Sequence, residues 1–190
     1  MKHKIVGNRH QLLALDMNAG EELFIFGGRY IFSKGDIEFH DKGGDFINAG
    51  LEGAVLLSGK GGRGLIGVAP QCGGHLKRVE IAPPSGLATA VESVFALSRG
   101  VTASVYSPPV ELAEAFGGAR FALFKGVGMT ILRTDENFIE FTLGADEEIR
   151  ANVKHIIAFS GGIKVKQALA IAGEDAVIFG GPGNLILSSG

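Results

Sequence analysis

The sequence is poor in the residues that stabilise small secreted proteins, and it has no long apolar runs. Cys72 is its only cysteine, so no intrachain disulfide can form, which favours a reducing compartment. The opening residues lack the apolar core of a secretory signal, and no segment approaches the roughly 20 consecutive apolar residues of a membrane span. Proline occurs only 6 times, and the 30 glycines follow no Gly-X-Y period, which excludes collagen. We therefore expect a soluble intracellular protein.

Charge of either sign is also scarce. The 18 basic and 20 acidic residues leave a net charge of −2, so the chain has no overall attraction to nucleic acid or to an anionic membrane. Tryptophan, a good stacking partner for bases, is absent. A hydrophobic content of 46% argues against disorder, and 190 residues are enough for one domain with a sizeable core.

The chain contains an internal repeat. When the segment from His75 is set above the segment from Asn137, apolar, serine and glycine positions coincide at a constant offset of 62 without a gap. A weaker copy lies upstream: Leu15 and Met17 match the second copy at an offset of 64, and Ser33 matches Ser98 at an offset of 65. We therefore predict a single domain over residues 1–190, with three repeats at about 12–66, 75–132 and 137–190.

Each repeat has the pattern of short strands. In "IEFTL", Ile139, Phe141 and Leu143 alternate with polar residues, which is the period-2 pattern of a half-buried strand. Turn residues separate such runs, and the one helix-like piece, "SPPVELAEAFGG", is predicted to be a short connector between the second and third repeats. The prediction is an all-β fold, a double-stranded β-helix or sandwich with three pseudo-symmetric repeats and at most one or two short helices.

Four glycines close the second and third repeats. "LFKGVGMTILRT" and "IFGGPGNLILSS" align at an offset of 55, which matches Gly126 with Gly181 and Gly128 with Gly183. A glycine at such a step supplies a positive φ or a bulge before the next strand. We therefore predict that these four glycines are structural.

The candidates for chemistry are weak in this sequence. "GKGGRG" matches a dinucleotide fingerprint, but no helix follows it, so we interpret it as a turn. The five histidines lack metal-ligand spacing, and the acid pairs fall at predicted turns. Cys72 lies three residues before His75, but nothing in the sequence orients the pair. We predict no catalytic residues, no cofactor and no bound metal.

Two observations concern strand edges. Lys164 and Lys166 share a predicted strand face, where lysines deter edge pairing or, around a ring of subunits, form a stripe that faces RNA. The C-terminal strand "NLILSS" has no charge, which predicts a free edge that pairs with the first repeat or with a neighbouring chain.

With these features assembled, the sequence resembles the mitochondrial-biogenesis AIM family (altered inheritance of mitochondria, member twenty-four) and its prokaryotic relatives. The resemblance rests on "LDMNAGEELFIFGGRYIFSKGDIEF", "FKGVGMTIL", "NVKHIIAFSGGIKV" and "GEDAVIFGGPGNLIL". It implies a fold like that of the tryptophan RNA-binding attenuation protein and a location in the cytoplasm of a prokaryote or in the mitochondrion of a eukaryote. It implies no reaction.

The expected role is that of a non-enzymatic structural or interaction protein that forms a homo-oligomer, with a protein partner that the sequence does not name. The alternative is an RNA- or small-ligand-binding protein, by analogy with the fold of the attenuation protein. A basic groove would favour nucleic acid, and a deep pocket with converging titratable groups would favour an enzyme.

Overall fold

The structure is a computed structural model that describes residues 1–190. It contains 19 β-strands, four single-turn 3-10 helices and no α-helix, so the all-β prediction is confirmed. None of the helical turns has the length or apolar composition that crossing a membrane requires.

Each repeat consists of six strands. An additional N-terminal strand, β1 (Lys2–Val6), precedes them. The first repeat comprises β2 (Leu12–Met17), β3 (Glu22–Phe26), β4 (Gly28–Lys34), β5 (Ile37–Asp41), the 3-10 helix η1 (Ile47–Ala49), β6 (Ala54–Gly59) and β7 (Gly64–Pro70). The second comprises β8 (His75–Ile81), β9 (Leu87–Ala90), η2 (Val91–Ser93), β10 (Val94–Ser98), β11 (Val101–Tyr106), η3 (Val110–Leu112), β12 (Phe121–Gly126) and β13 (Gly128–Thr134). The third comprises β14 (Phe138–Leu143), β15 (Glu148–Asn152), η4 (Val153–His155), β16 (Ile156–Ser160), β17 (Lys164–Ile171), β18 (Glu174–Gly180) and β19 (Gly183–Ser188).

The three repeats share one pairing scheme. In each repeat the first and third strands flank the sixth, and the second and fourth strands flank the fifth, always antiparallel. Consecutive repeats are joined by one further antiparallel pair, β3 with β10 and β9 with β16. The threefold internal repetition predicted from the sequence is therefore present in the hydrogen-bonded topology.

These pairings build four sheets. Sheet I has the order β1-β2-β7-β4 and sheet II the order β5-β6-β3-β10-β13-β8. Sheet III has the order β11-β12-β9-β16-β19-β14 and sheet IV the order β15-β18-β17. Sheets II and III thus each combine half of one repeat with half of the next, whereas sheets I and IV each contain half of a single repeat, joined in sheet I by β1.

The sheets are layers with an apolar core between each neighbouring pair. Along β3, Leu23 and Ile25 belong to the core between sheets I and II, and Phe24 and Phe26 belong to the core between sheets II and III. A third core lies between sheets III and IV. Because packed sheets lie about 10 Å apart, sheets I and IV are separated by roughly 30 Å.

The prediction of a free C-terminal strand is wrong. β19 lies inside sheet III, where it pairs with β16 on one side and with β14 on the other. It closes onto its own repeat, as β13 and β7 do in the other two repeats. The lack of charge in this strand therefore reflects a central position, because both of its edges are already paired.

The first repeat has no inserted position, although the sequence matches at offsets of 64 and 65 predict one before Ser33. Lys34 of β4 is opposite Leu65, and Ser98 of β10 approaches the equivalent residue, Met129. The residue that corresponds to Ser98 is therefore Lys34, so the offset remains 64 through β4. β5 keeps the same offset, because Phe39 and Ala103 lie opposite the equivalent residues Leu57 and Phe124.

Candidate interaction surface

The outer edge of β4 is unpaired and apolar. Tyr30, Ile31 and Phe32 are 54%, 45% and 37% exposed, in a strand whose pairing with β7 shifts register between Tyr30 and Phe32. The equivalent strands β10 and β16 are buried because β3 and β9 cover them. No strand covers β4, since it ends the order of sheet I.

The matching free edge is β15 in sheet IV. Its equivalents β3 and β9 pair with the next repeat, but no fourth repeat follows β15. Arg150 and Asn152 occupy the positions that Phe24 and Phe26 hold in β3, so β15 presents polar side chains on the outer face of sheet IV. This face ends the stack of layers, and the edge of β15 stays open.

The remaining sheet edges differ from these two. β5, β11 and β17 are edge strands in all three repeats, and β8 and β14 are edges in the second and third. β1 covers the equivalent edge of β2 in the first repeat. Only β4 and β15 have a free edge whose equivalents are paired in both of the other repeats.

The two internal junctions share one register. Ser98 of β10 is opposite Leu23, and Ser160 of β16 is opposite Leu87. The same register applied to the free edges puts Lys34 opposite Ile149, Ser33 opposite Arg150 and Phe32 opposite Ala151. Because the two edges are separated by two layers within one chain, these pairs can form only between two chains.

A cleft of about 520 Å³ opens beside β4, between sheets I and II. The rings of Tyr30 and Phe39 meet edge to face at its rim, with centroids 5.8 Å apart. Its apolar wall is formed by Ile25, Val55, Leu57 and Val68, and Glu52 and Gln71 contribute polar groups. We call this cleft the first-repeat pocket. Its volume lies in the range of ligand sites, which typically measure about 300–1,000 Å³.

A second cleft brings together several residues that the sequence analysis considered singly. Cys72, His75, Asp135 and Glu136 line it together with His10, in a volume of about 440 Å³. The loop after β7 and the turn after β13 meet here, a proximity that no spacing in the sequence indicated. No three His, Cys, Asp or Glu side chains in the chain are placed to hold a metal ion.

The other sequence candidates take part in local structure. His155 lies in η4 with its Nδ1 3.3 Å from Ser188 Oγ. Glu147 accepts a hydrogen bond from the backbone N–H of Gly144 at 2.7 Å, which stabilises a turn. Lys164 and Lys166 lie on the edge strand β17, where Lys166 Nζ is 2.7 Å from Glu148 Oε1.

The four predicted structural glycines stand at two kinds of position. Gly126 has φ +114° and Gly183 has φ +155°, conformations that side chains with a Cβ rarely adopt. Gly128 and Gly181 lack a positive φ but are crowded: a Cβ at Gly128 would lie 2.9 Å from Val101 Cγ2, and one at Gly181 would lie 2.9 Å from Leu143 Cβ. Each of these two junctions between strands therefore has one glycine with a positive φ and one glycine where an added side chain would be too close to its neighbours.

Ion pairs stabilise the β6–β7 turn, which carries "GKGGRG". Arg63 Nε donates a hydrogen bond to Asp16 Oδ1 at 2.7 Å, and this bond holds the pKa of Asp16 below its usual value. Lys60 Nζ lies 2.5 Å from Glu38 Oε1, and its hydrogen bond lowers the pKa of Glu38 in the same way. The segment links two strands, as predicted, and its basic side chains are bound to neighbouring carboxylates.

The fold defines an all-β repeat protein with an unpaired edge on β4 in its first sheet and on β15 in its last sheet. The chain belongs to the family described as mitochondrial biogenesis AIM24, which it matches over residues 3–190, so the resemblance seen in the sequence is confirmed. It is also similar to the crystal structure of a Streptococcus pyogenes protein, with a TM-score of 0.79 over 99% of this chain and 93% of that chain. Because the two share 16% identity, this likeness shows the fold alone. No curated protein sequence matches the chain.

Proposed function

We propose that this protein is a non-enzymatic interaction protein that acts as a homo-oligomer, in which β4 of one chain pairs with β15 of the next. One observation carries the proposal: β4 and β15 are unpaired, whereas their equivalents pair with each other at both internal junctions. In a second copy of the chain, β15 is available to pair with β4 of the first copy, and β4 is available to pair with β15 of the first copy.

Such pairing would complete a sheet of the kind already present twice. Sheet IV of one chain and the β4-β7-β2 half of sheet I of another would give the order β17-β18-β15-β4-β7-β2, which matches sheets II and III repeat for repeat. The unpaired N–H and C=O groups of both edges would gain partners. A contact of this head-to-tail kind closes into a ring or extends into a filament.

The test is a disulfide across the proposed pair. In a Cys72→Ser background, we replace Ser33 and Arg150, which are both exposed, with cysteine in the same chain. Residues directly opposite each other in antiparallel strands have Cα atoms about 4.5–5.5 Å apart, which suits a disulfide. Oxidation at low micromolar concentration is expected to give a ladder of covalent oligomers, which reducing agent collapses to one band.

The matched control moves one cysteine out of register. Asn152 is two residues from Arg150 on the same face of β15, so the Ser33→Cys, Asn152→Cys variant is expected to give little ladder under the same conditions. A wild-type protein that is monomeric by light scattering, together with equal cross-linking in both variants, would overturn the proposal.

The alternative of RNA binding has less support. The basic pair expected to face RNA includes Lys166, which is bound to Glu148. The absence of catalysis remains part of the proposal, and it is supported by acids such as Glu147 and Glu21 that accept hydrogen bonds from turn backbone. The single exposed cysteine and the family description support a location in the prokaryotic cytoplasm or the eukaryotic mitochondrion.

A further inference from the structure

The first-repeat pocket has an equivalent place on each of the other two repeats. Gly27, Val91 and Val153 occupy the same position after the second strand of their repeats. Phe39, Ala103 and Val165 occupy the same position on the fourth strand, because they pair with the equivalent residues Leu57, Phe124 and Phe179. In the first repeat these positions line an open cleft, so the other two repeats show what covers such a surface.

On the second repeat, a connector from the first repeat covers this place. Residues 42–53 join β5 to β6, and their 3-10 helix η1 lies against β11. A Cβ at Gly50 would be 3.6 Å from Val91, so the connector passes over the residue that is equivalent to Gly27. Its side chains Phe46, Ala49 and Leu51 enter the core between sheets II and III.

On the third repeat, a connector from the second repeat covers the equivalent place. Residues 107–120 join β11 to β12, and Leu112 and Phe116 are buried in the core that also contains Val153 and Val165. The ring of Phe116 packs edge to face on Phe121, with centroids 5.6 Å apart. In both cases a short segment with one 3-10 turn inserts an aliphatic and an aromatic side chain into the next repeat.

The first repeat has no predecessor to supply such a segment. In addition, its Gly27 presents no side chain where Val91 and Val153 stand, which leaves the pocket deeper. A second copy cannot fill it in the same way, because the corresponding connector of the third repeat is the two-residue turn Ala172–Gly173. Head-to-tail pairing of copies would therefore bring no such connector to this pocket.

We propose that the first-repeat pocket binds a short apolar segment of a different protein, with an aliphatic and an aromatic side chain four or five residues apart. This is the spacing of Leu112 and Phe116 in one connector, and of Phe46 and Leu51 in the other. The segment's ring packs beside Tyr30 and Phe39, where edge-to-face contacts are favourable. Its backbone hydrogen-bonds to Glu52 and Gln71 at the rim.

This inference names the class of partner for the proposed interaction role and rests on that role, but it does not require β4–β15 pairing. The probe is a fluorescein-labelled peptide of residues 107–120, SPPVELAEAFGGAR, titrated with the full-length protein. We expect a saturable rise in anisotropy with a Kd below about 1 mM. The variant Phe39→Lys places a charge at the rim and is expected to weaken binding about tenfold or more.

Two controls make the test specific. Val105→Lys places the same charge on β11, the strand equivalent to β5, at a side chain that is also exposed, and it is expected to bind as the wild type does. A peptide with Leu112→Ala and Phe116→Ala is expected to lose binding. Thermal melts confirm that each protein variant is folded.

Three results would overturn the inference: no saturable binding by this peptide or by one of residues 42–53, equal binding to the Phe39→Lys variant, or equal binding by the alanine peptide. Indole that saturates the pocket while neither peptide binds would also overturn it, in favour of a small aromatic ligand. Phe39 lies outside β4, so cross-linking through Ser33 and peptide binding can fail separately.

Discussion

The hydroxyl of Ser98 bonds to both backbone groups of Met129. It accepts a hydrogen bond from the Met129 N–H at 2.7 Å and donates one to the Met129 carbonyl oxygen at 3.0 Å. In the third repeat, Ser160 Oγ accepts a bond from the Asn184 N–H at 3.0 Å. The serine thus ties the end of the third strand to the start of the sixth in two of the three repeats.

Replacement of this serine is expected to destabilise the fold. Ser98→Ala leaves the N–H of the buried Met129 without its partner, so we expect the free energy of unfolding to fall by about 1–2 kcal/mol. Urea denaturation followed by circular dichroism measures the loss. Ser104→Ala, at an exposed position of β11, is the control and is expected to leave the midpoint unchanged. A midpoint that moves equally in both variants would show that the hydrogen bonds contribute nothing specific.

The same serines show how far sequence reasoning reached. Ser98 and Ser160 were matched correctly because the offset of 62 holds without a gap. Ser33 was matched to them because it is the only serine nearby, whereas the strand register assigns Lys34 to that place. Residue identity misled here, because the first repeat has a lysine where the other two repeats have a serine.

Thr89 is expected to be a destabilising residue. Its Oγ1 is fully buried without a hydrogen-bond partner, opposite Ala122 and Ala158. Thr89→Val keeps the shape and removes the unpaired hydroxyl, so we expect the free energy of unfolding to rise by about 1 kcal/mol. Chemical denaturation of the purified variant measures this gain.

Thr130 provides the matched control for Thr89. It is equally buried, but its Oγ1 donates a hydrogen bond to the Ala96 carbonyl oxygen at 2.8 Å. Thr130→Val is therefore expected to lower the free energy of unfolding by about 1 kcal/mol. Changes of the same sign in both valine variants would contradict the assignment of an unpaired hydroxyl at position 89.

Gly126 is expected to tolerate no β-branched side chain. Its φ of +114° lies outside the region open to valine, and an added Cβ would meet the Gly100 carbonyl oxygen. Gly126→Val should lower the free energy of unfolding by more than about 1 kcal/mol. Gly44→Ala, where φ is not positive and an added Cβ meets nothing, is the comparison that should leave the melting temperature nearly unchanged. An unaltered melting temperature for Gly126→Val would contradict the structural role of this junction.

The repeats could be predicted from the sequence, but the interaction surface could not. Strand periodicity and the internal offsets specify each repeat, because both depend on contacts within about 60 residues, a local property of the chain. Which edges stay open depends on how the repeats join. The C-terminal strand is central and β4 is free, yet each contains a run of three apolar or aromatic residues. Only the pairing distinguishes them.

The connectors were likewise visible only as a short helix-like piece. The pattern of "SPPVELAEAFGG" predicts a connector between the second and third repeats that starts near Pro109. η3 does begin just after Pro109, but the segment joins β11 to β12 inside the second repeat, and nothing local indicated that it reaches into the next repeat. The burial of Phe116 is a tertiary contact between residues of two repeats. The first-repeat pocket could therefore be identified only by comparing the three repeats in space.

The last prediction tests whether the connectors act as internal plugs. Phe116 is 3% exposed, so Phe116→Ala should remove its buried ring and leave a cavity on the third repeat equivalent to the first-repeat pocket. We expect the free energy of unfolding to fall by about 3 kcal/mol, the usual cost of truncating a buried phenylalanine. Val110→Ala, on the same connector but 88% exposed, should change it by less than about 0.5 kcal/mol. Equal, small effects of the two substitutions would mean that the connector only lies on the surface, and the comparison with the open pocket of the first repeat would lose its basis.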